Sequence, residues 1–125
     1  MRSMDIKIGD LELSLAMHFD AASELSRKVY DLMGVVREAQ IEARMAEVGL
    51  SYRPAWQATT ENIPLIFYIG AKYNAPSLTL AQVQGAVFEH GFPEAQALAM
   101  EYLAALVTPT ARKKAEGKGD AKPGE

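Results

Sequence analysis

The first part of the chain alternates polar and apolar residues with a period of two, which is typical of a β-strand with one buried face. Two such runs flank the dipeptide Gly9-Asp10, which suits the left-handed backbone of a tight two-residue turn. The pattern predicts a β-hairpin over residues 4–15, in which Ile8 faces Leu11 and each earlier residue faces its counterpart. Opposed residues share a face, so we expect one apolar side. A lone hairpin is not stable in water, and this side therefore needs a cover.

Helical periodicity follows the hairpin. From Leu25 onward, apolar residues recur at alternating steps of four and three, which predicts one long helix over residues 20–48. Gly34 falls within this stripe at a cost of about 1 kcal/mol relative to alanine, so a break or kink at this glycine stays open. The later part of the stripe has small side chains, and we expect it to be partly buried or to pair with another chain. It consists of Ala39, Ala43 and Ala46.

Three shorter helices are predicted in the rest of the chain. The segment 62–73 is apolar almost all round, which indicates a buried central helix. A capping box precedes a helix over 80–90, and a proline opens a last helix over 93–107. We therefore expect an α+β fold in a single domain over residues 1–109, with a two-stranded antiparallel hairpin packed on a bundle of about four helices.

Aromatic residues in these helices are expected in the core, and they are Phe67, Tyr68, Tyr73, Phe88 and Tyr102. Trp56 differs because it lies in a polar loop, where an aromatic side chain either packs over the domain or contacts a partner. A single exposed tryptophan is uncommon, which favours packing over the domain. The Ala-rich helical face and this tryptophan could form a groove for an amphipathic helix. The candidate protein-binding residues of this predicted groove are Trp56, Ala39, Ala43 and Ala46.

Composition is that of an ordinary globular protein, with 49% hydrophobic and 23% charged residues. The absence of cysteine excludes disulfides and thiolate metal ligands, and it is compatible with a reducing cytosol. No apolar run approaches the roughly 20 residues that span a bilayer. The alternating N-terminus is also unlike the continuous apolar core of a signal peptide. We therefore expect a cytoplasmic protein without a membrane partner.

Charge is distributed unevenly around the net charge of −3. The segment 110–125 predicts a flexible basic tail, in which Lys113 and Lys114 are candidate residues for contact with an acidic partner. The remaining acidic body argues against nucleic-acid binding, because that function needs a basic face. Residues 80–107 contain no Lys or Arg, which counts against a DNA-recognition helix in this region.

The sequence contains no motif that indicates catalysis or metal binding. His18 and His90 lack the spacing of known ligand motifs. The serines have no nucleophile-elbow context, and the glycines match neither a phosphate-binding loop nor a dinucleotide fingerprint. Glu38 and Glu42 lie one turn apart, which is typical of a solvated helical face. The sequence therefore predicts no catalytic residues, no cofactor and no metal.

The order of elements resembles that of the small tail assembly chaperones of long-tailed bacteriophages, prophages and gene transfer agents. The resemblance extends in organisation over about the first 108 residues. The segment 35–56 departs from it by being longer and more helical. The matching segments are 4–13, 19–25, 63–73 and 74–83.

This resemblance implies a non-enzymatic protein that binds the tape measure protein, keeps it soluble and helps to recruit tail tube protein. Many relatives also have a longer form made by a ribosomal frameshift near the C-terminus, and the Lys113-Lys114 pair is a candidate place for one. Two alternatives stay open. One is another small phage structural protein, such as a ring-forming tail terminator or head–tail joining protein, and the less favoured one is a helical transcriptional regulator.

Overall fold

The computed structural model of the chain describes residues 2–108, and its first two elements form the predicted hairpin. Strands β1 (Ser3–Ile8) and β2 (Leu11–Ala16) are antiparallel, and the residues that flank the turn pair with each other. Gly9 in the turn has a positive φ of 60°, a conformation that glycine adopts without steric cost. The register predicted from the alternation is confirmed along the whole hairpin.

Five helices follow the hairpin among the described residues, and the α+β fold is confirmed. The predicted capping box is present ahead of the fourth helix, where the side chains of Thr79 and Gln82 each accept a hydrogen bond from the other's backbone N–H. The predicted tail over 110–125, with Lys113 and Lys114, lies outside the described residues. The helices are α1 (Phe19–Lys28), α2 (Leu32–Glu47), α3 (Asn62–Lys72), α4 (Leu80–His90) and α5 (Phe92–Val107).

The prediction of a single helix over 20–48 is wrong, because the chain turns between α1 and α2 at residues 29–31. The side chains of Ser26 and Asp31 accept hydrogen bonds from the first backbone N–H groups of α2. Such local acceptors compete with helical hydrogen bonds and favour a new helix start. The break therefore precedes Gly34, which lies inside α2. Periodicity missed the break because the apolar spacing continues across it.

Helix α3 lies at the centre of the core, as its nearly all-apolar sequence predicted. It packs on β2, α1, α4 and α5. One contiguous hydrophobic cluster takes residues from both strands and all five helices, so the apolar face of the hairpin is covered mainly by α3. The buried residues of α3 are Ile63, Pro64, Ile66, Phe67, Ile69, Gly70 and Ala71.

Tyr102 connects α5 to the hairpin through this core. Its side chain is fully buried, and its hydroxyl donates a hydrogen bond to the carbonyl oxygen of Ala16 at 2.6 Å. A Cβ added to Gly70 of α3 would lie 2.6 Å from the same hydroxyl, so the close approach of the two helices requires glycine. Burial raises the pKa of the Tyr102 hydroxyl, which keeps it in the protonated form that donates.

The aromatic residues expected in the core divide into two groups. Phe67 and Tyr102 are fully buried, and Tyr68 is half-buried. The prediction is wrong for Phe88, whose side chain is 74% exposed, and for Tyr73, which is 37% exposed. Helix α4 turns its two buried valines toward the core and leaves the adjacent phenylalanine at the surface.

Candidate protein-binding groove

A groove of about 290 Å³ lies between α2, α5 and the loop that joins α2 to α3. Its lining combines aliphatic and aromatic side chains with two glutamates of α2. We call it the α2–α5 groove. The residues that line it are Tyr30, Val35, Glu38, Ala39, Glu42, Pro54, Trp56, Gln57, Met100 and Ala104.

Two stacked aromatic rings form one wall of the groove. The rings of Tyr30 and Trp56 are parallel within 1°, with their centroids 4.2 Å apart. Trp56 is half-buried and packs against the hydrophobic core, as the sequence favoured, while part of the ring still lines the groove. The same tryptophan therefore packs over the domain and offers an aromatic surface to a ligand.

Gly34 allows this stack to form. A Cβ at this position of α2 would lie 2.6 Å from the hydroxyl of Tyr30 and 2.8 Å from its ring. The ring therefore lies directly against the helix backbone, and from there it reaches Trp56. Glycine costs about 1 kcal/mol inside a helix relative to alanine, and here it leaves the space that the tyrosine ring occupies. The sequence pointed to this glycine only as a helix break.

Hydrogen bonds fix the loop that carries Trp56. Glu38 accepts from the Tyr52 hydroxyl at 2.7 Å and from the backbone N–H of Ala55 at 2.8 Å. These hydrogen bonds lower the pKa of Glu38, and the hydrogen bond between Tyr52 and Glu38 raises the pKa of the Tyr52 hydroxyl. On the other side, the Gln96 amide of α5 donates to the carbonyl oxygen of Ala58 at 2.7 Å. The loop is thus tied to both helices that border the groove.

Only some of the protein-binding residues predicted from the sequence lie together in the structure. Trp56 and Ala39 line the α2–α5 groove, whereas Ala43 and Ala46 lie exposed further along α2 and do not line it. Sequence reasoning missed Tyr30, because the contact between this residue and the loop is made only when the chain turns before α2. Met100 and Ala104 were also missed, because the apolar pattern of α5 indicates only the face that is buried in the core.

Apart from the groove, a cluster of polar side chains around Glu24 joins α1 to α3. Glu24 is 6% exposed, and one of its carboxylate oxygens accepts from Lys28 Nζ at 2.9 Å and from Lys72 Nζ at 2.5 Å. The other oxygen accepts from the Tyr73 hydroxyl at 2.6 Å. Sequence reasoning did not identify this cluster, although the spacing of Glu24 and Lys28 is that of a helical ion pair.

The cluster shifts the pKa values of two of its members. Burial alone would raise the pKa of Glu24, but the hydrogen bonds from Lys72, Tyr73 and Lys28 outweigh it and lower the pKa to about 2. The hydrogen bond to this carboxylate raises the pKa of Tyr73 to about 12. A carboxylate held ionised by three donors is suited to connecting two helices rather than to transferring protons.

Among the described residues, neither histidine belongs to a cluster of metal ligands. His18 Nδ1 accepts from the backbone N–H of Ala21 at the start of α1, and His90 Nδ1 accepts from that of Gly9 in the hairpin turn. Within residues 2–108, no three residues of the His, Cys, Asp and Glu types lie together in a way that could hold a metal ion. No helix in the same part of the chain is long and apolar enough to cross a membrane.

No family model, curated protein or solved structure matches the chain.

Proposed function

We propose that this protein is a non-enzymatic assembly chaperone that binds an amphipathic helix of its client in the α2–α5 groove. Through the resemblance described above, the client is the tape measure protein of a phage or prophage tail, with tail tube protein as a second partner in the bacterial cytoplasm. The observation that carries the proposal is an apolar groove between two helices, with a stacked aromatic wall.

The dimensions and lining of the groove suit side chains presented by a helix. Helix-in-groove recognition inserts apolar residues from one face of the ligand between two helices of the receptor. Val35, Met100 and Ala104 provide an aliphatic surface for such residues, and methionine adapts to differently shaped ligands. Trp56 adds the large aromatic surface that dominates many protein interfaces.

The charge at the border of the groove indicates which helices would fit. Glu38 and Glu42 lie one turn apart on α2, and both line the groove. A ligand helix with an apolar stripe and flanking Lys or Arg residues would place its cations near these carboxylates. We therefore expect the protein to prefer basic amphipathic segments over acidic ones with the same apolar stripe.

Binding can be measured directly because Trp56 is the only tryptophan. Peptides that tile the tape measure protein of the same genome are titrated against the chain, and the emission of Trp56 is recorded. We expect a saturable change with at least one amphipathic peptide, and co-expression with the full tape measure protein should raise the soluble fraction of that client.

Two variants of the same helix test the place of binding. Ala39→Gln puts a longer neutral side chain in the groove, and Ala43→Gln makes the same change one turn further along α2, outside the lining. We expect Ala39→Gln to weaken peptide binding roughly tenfold or more, because the longer side chain fills space that an apolar residue of the ligand would occupy and its amide loses water there. Ala43→Gln should leave binding near that of the unmodified chain. Equal binding by both variants, or no effect of the chain on client solubility, would refute the proposal.

A further inference from the structure

The two edges of the hairpin differ in how their backbone groups are satisfied. In an antiparallel pair, alternate residues direct their N–H and C=O groups toward the partner strand, and the intervening residues direct them outward. The Ile8–Leu11 pair closes the turn, and the N–H of Met17 donates to the carbonyl of Arg2 at the open end. The even-numbered residues of β1 therefore bond to β2, and the odd-numbered residues point away from it.

The outer edge of β2 is covered by side chains from the helical part. The carbonyl oxygen of Ser14 accepts from the Asn74 side-chain amide at 2.9 Å, and that of Ala16 accepts from the Tyr102 hydroxyl at 2.6 Å. These two contacts occupy two successive outward carbonyls of β2 from two directions. No further strand can pair at this side of the hairpin without displacing them.

In the part of the chain that the structure describes, the outer edge of β1 has no such cover. Within residues 2–108, the hydrogen bonds made outside the two-stranded ladder include none to the backbone of Ser3, Asp5 or Lys7. Asp5 and Lys7 are exposed, and α4 meets the hairpin at the turn, where the His90 side chain accepts from Gly9. An open strand edge of this kind is a template for pairing with another strand.

We propose that β1 pairs antiparallel with β1 of a second copy of this chain, across a two-fold axis at Ile6. In this register Asp5 of each copy lies opposite Lys7 of the other, and both pairs exchange backbone hydrogen bonds. Ile6 lies opposite Ile6 of the second copy on the apolar face. The two hairpins then form one four-stranded antiparallel sheet.

The charges of the strand favour this register, because it places opposite charges face to face. An axis at Asp5 would place two aspartates opposite each other, and an axis at Lys7 would do the same with two lysines, which is destabilising in both cases. With the axis at Ile6, the outer face instead carries a row that alternates in charge, from Glu12 through Lys7 to Asp5 of the second copy. Ile6 is only half-buried in a single chain, and the pairing covers more of it.

One set of measurements tests both whether the chain dimerises and whether the edge of β1 forms the interface. Sedimentation velocity over a roughly hundredfold range of protein concentration should show a reversible monomer–dimer equilibrium. Amide hydrogen exchange at Asp5 and Lys7 should slow as the dimer forms, since these N–H groups become hydrogen-bonded. A chain that stays monomeric over the whole range overturns the proposal, and so does a dimer in which these two amides exchange at the monomer rate.

Charge reversal tests the register. Asp5→Lys should weaken dimerisation roughly tenfold, since each of its two cross-strand pairs changes from attraction to repulsion. Asp10→Lys makes the same change in the turn, outside the paired residues, and should have little effect. Mixing Asp5→Lys with Lys7→Asp should restore a dimer made of one chain of each kind, because opposite charges then face each other again.

A backbone variant serves as a check that does not depend on charge. Asp5→Pro removes an outward N–H while leaving the bonds to β2 intact, a position where an edge strand tolerates proline. It should abolish the dimer while thermal unfolding shows a folded chain. A dimer that persists in folded Asp5→Pro, or a mixture that forms no heterodimer, would mean that the chains associate by another surface.

Discussion

Acid should remove the stabilisation that Glu24 provides between α1 and α3. The pKa of Glu24 in the folded chain is about 2, against an ordinary value of 4.5. At 1.36 kcal/mol per pKa unit, the difference corresponds to about 3 kcal/mol of folding free energy. This is a large share of the roughly 5–15 kcal/mol by which most domains are stable.

The sign of the effect follows from the direction of the shift. Because folding lowers the pKa, the folded chain holds the ionised carboxylate more strongly than the unfolded chain does. The stabilisation is complete above pH 4.5 and is lost as the pH falls toward about 2. Neutral glutamine in Glu24→Gln keeps a hydrogen-bond acceptor but cannot provide the ionised partner of Lys28 and Lys72.

Urea unfolding at a series of pH values measures this contribution. We expect Glu24→Gln to be about 2–3 kcal/mol less stable than the unmodified chain at pH 7, and the difference to shrink as the pH falls through the range between the two pKa values. Glu47→Gln is a matched control on the exposed end of α2, where surface changes are usually within about 0.5 kcal/mol. Parallel stability curves for the unmodified chain and Glu24→Gln would refute the reasoning.

Two glycine substitutions should differ in their effect on stability, although each added Cβ would lie 2.6 Å from a tyrosine hydroxyl. Gly70→Ala should lower the free energy of unfolding by about 1–3 kcal/mol, because buried Tyr102 cannot move away. Urea unfolding of Gly70→Ala, alone and combined with Tyr102→Phe, measures this loss. An unchanged urea midpoint for Gly70→Ala would contradict it. Gly34→Ala should change stability by less than about 1 kcal/mol, because half-buried Tyr30 can rotate away while the helix gains propensity. The emission of Trp56 should nevertheless change as the stack opens, and an unchanged spectrum would show that the ring stays in place.

The local pattern of apolar and polar residues was sufficient to predict the elements whose structure depends on residues close in sequence. The hairpin register follows from period-two alternation around Gly9-Asp10, because a slip of one residue would turn every apolar side chain to the solvent. Helix α4 was located by a capping box within four residues, and α3 by an apolar segment too uniform for any surface position. These features carry their own explanation in the sequence.

Local pattern failed where two conformations share the same spacing of apolar residues. A long helix and two helices broken at 29–31 both place apolar residues at intervals of three and four. The decision depends on Asp31 and Ser26, whose side chains accept hydrogen bonds from the new helix start. The exposure of Phe88 is a similar case, because its helix can direct either of two adjacent apolar residues toward the core.

The candidate groove and the open strand edge depend on contacts between distant parts of the chain. Trp56 was a visible candidate, but its stack on Tyr30 exists only because the chain turns before α2 and the loop is tied to Glu38. Likewise, alternation determined which residues of the hairpin face inward. Only the tertiary structure decided that Asn74 and Tyr102 cover β2 and leave β1 open, because hydrogen bonds across 60 and 86 residues of sequence have no local signal.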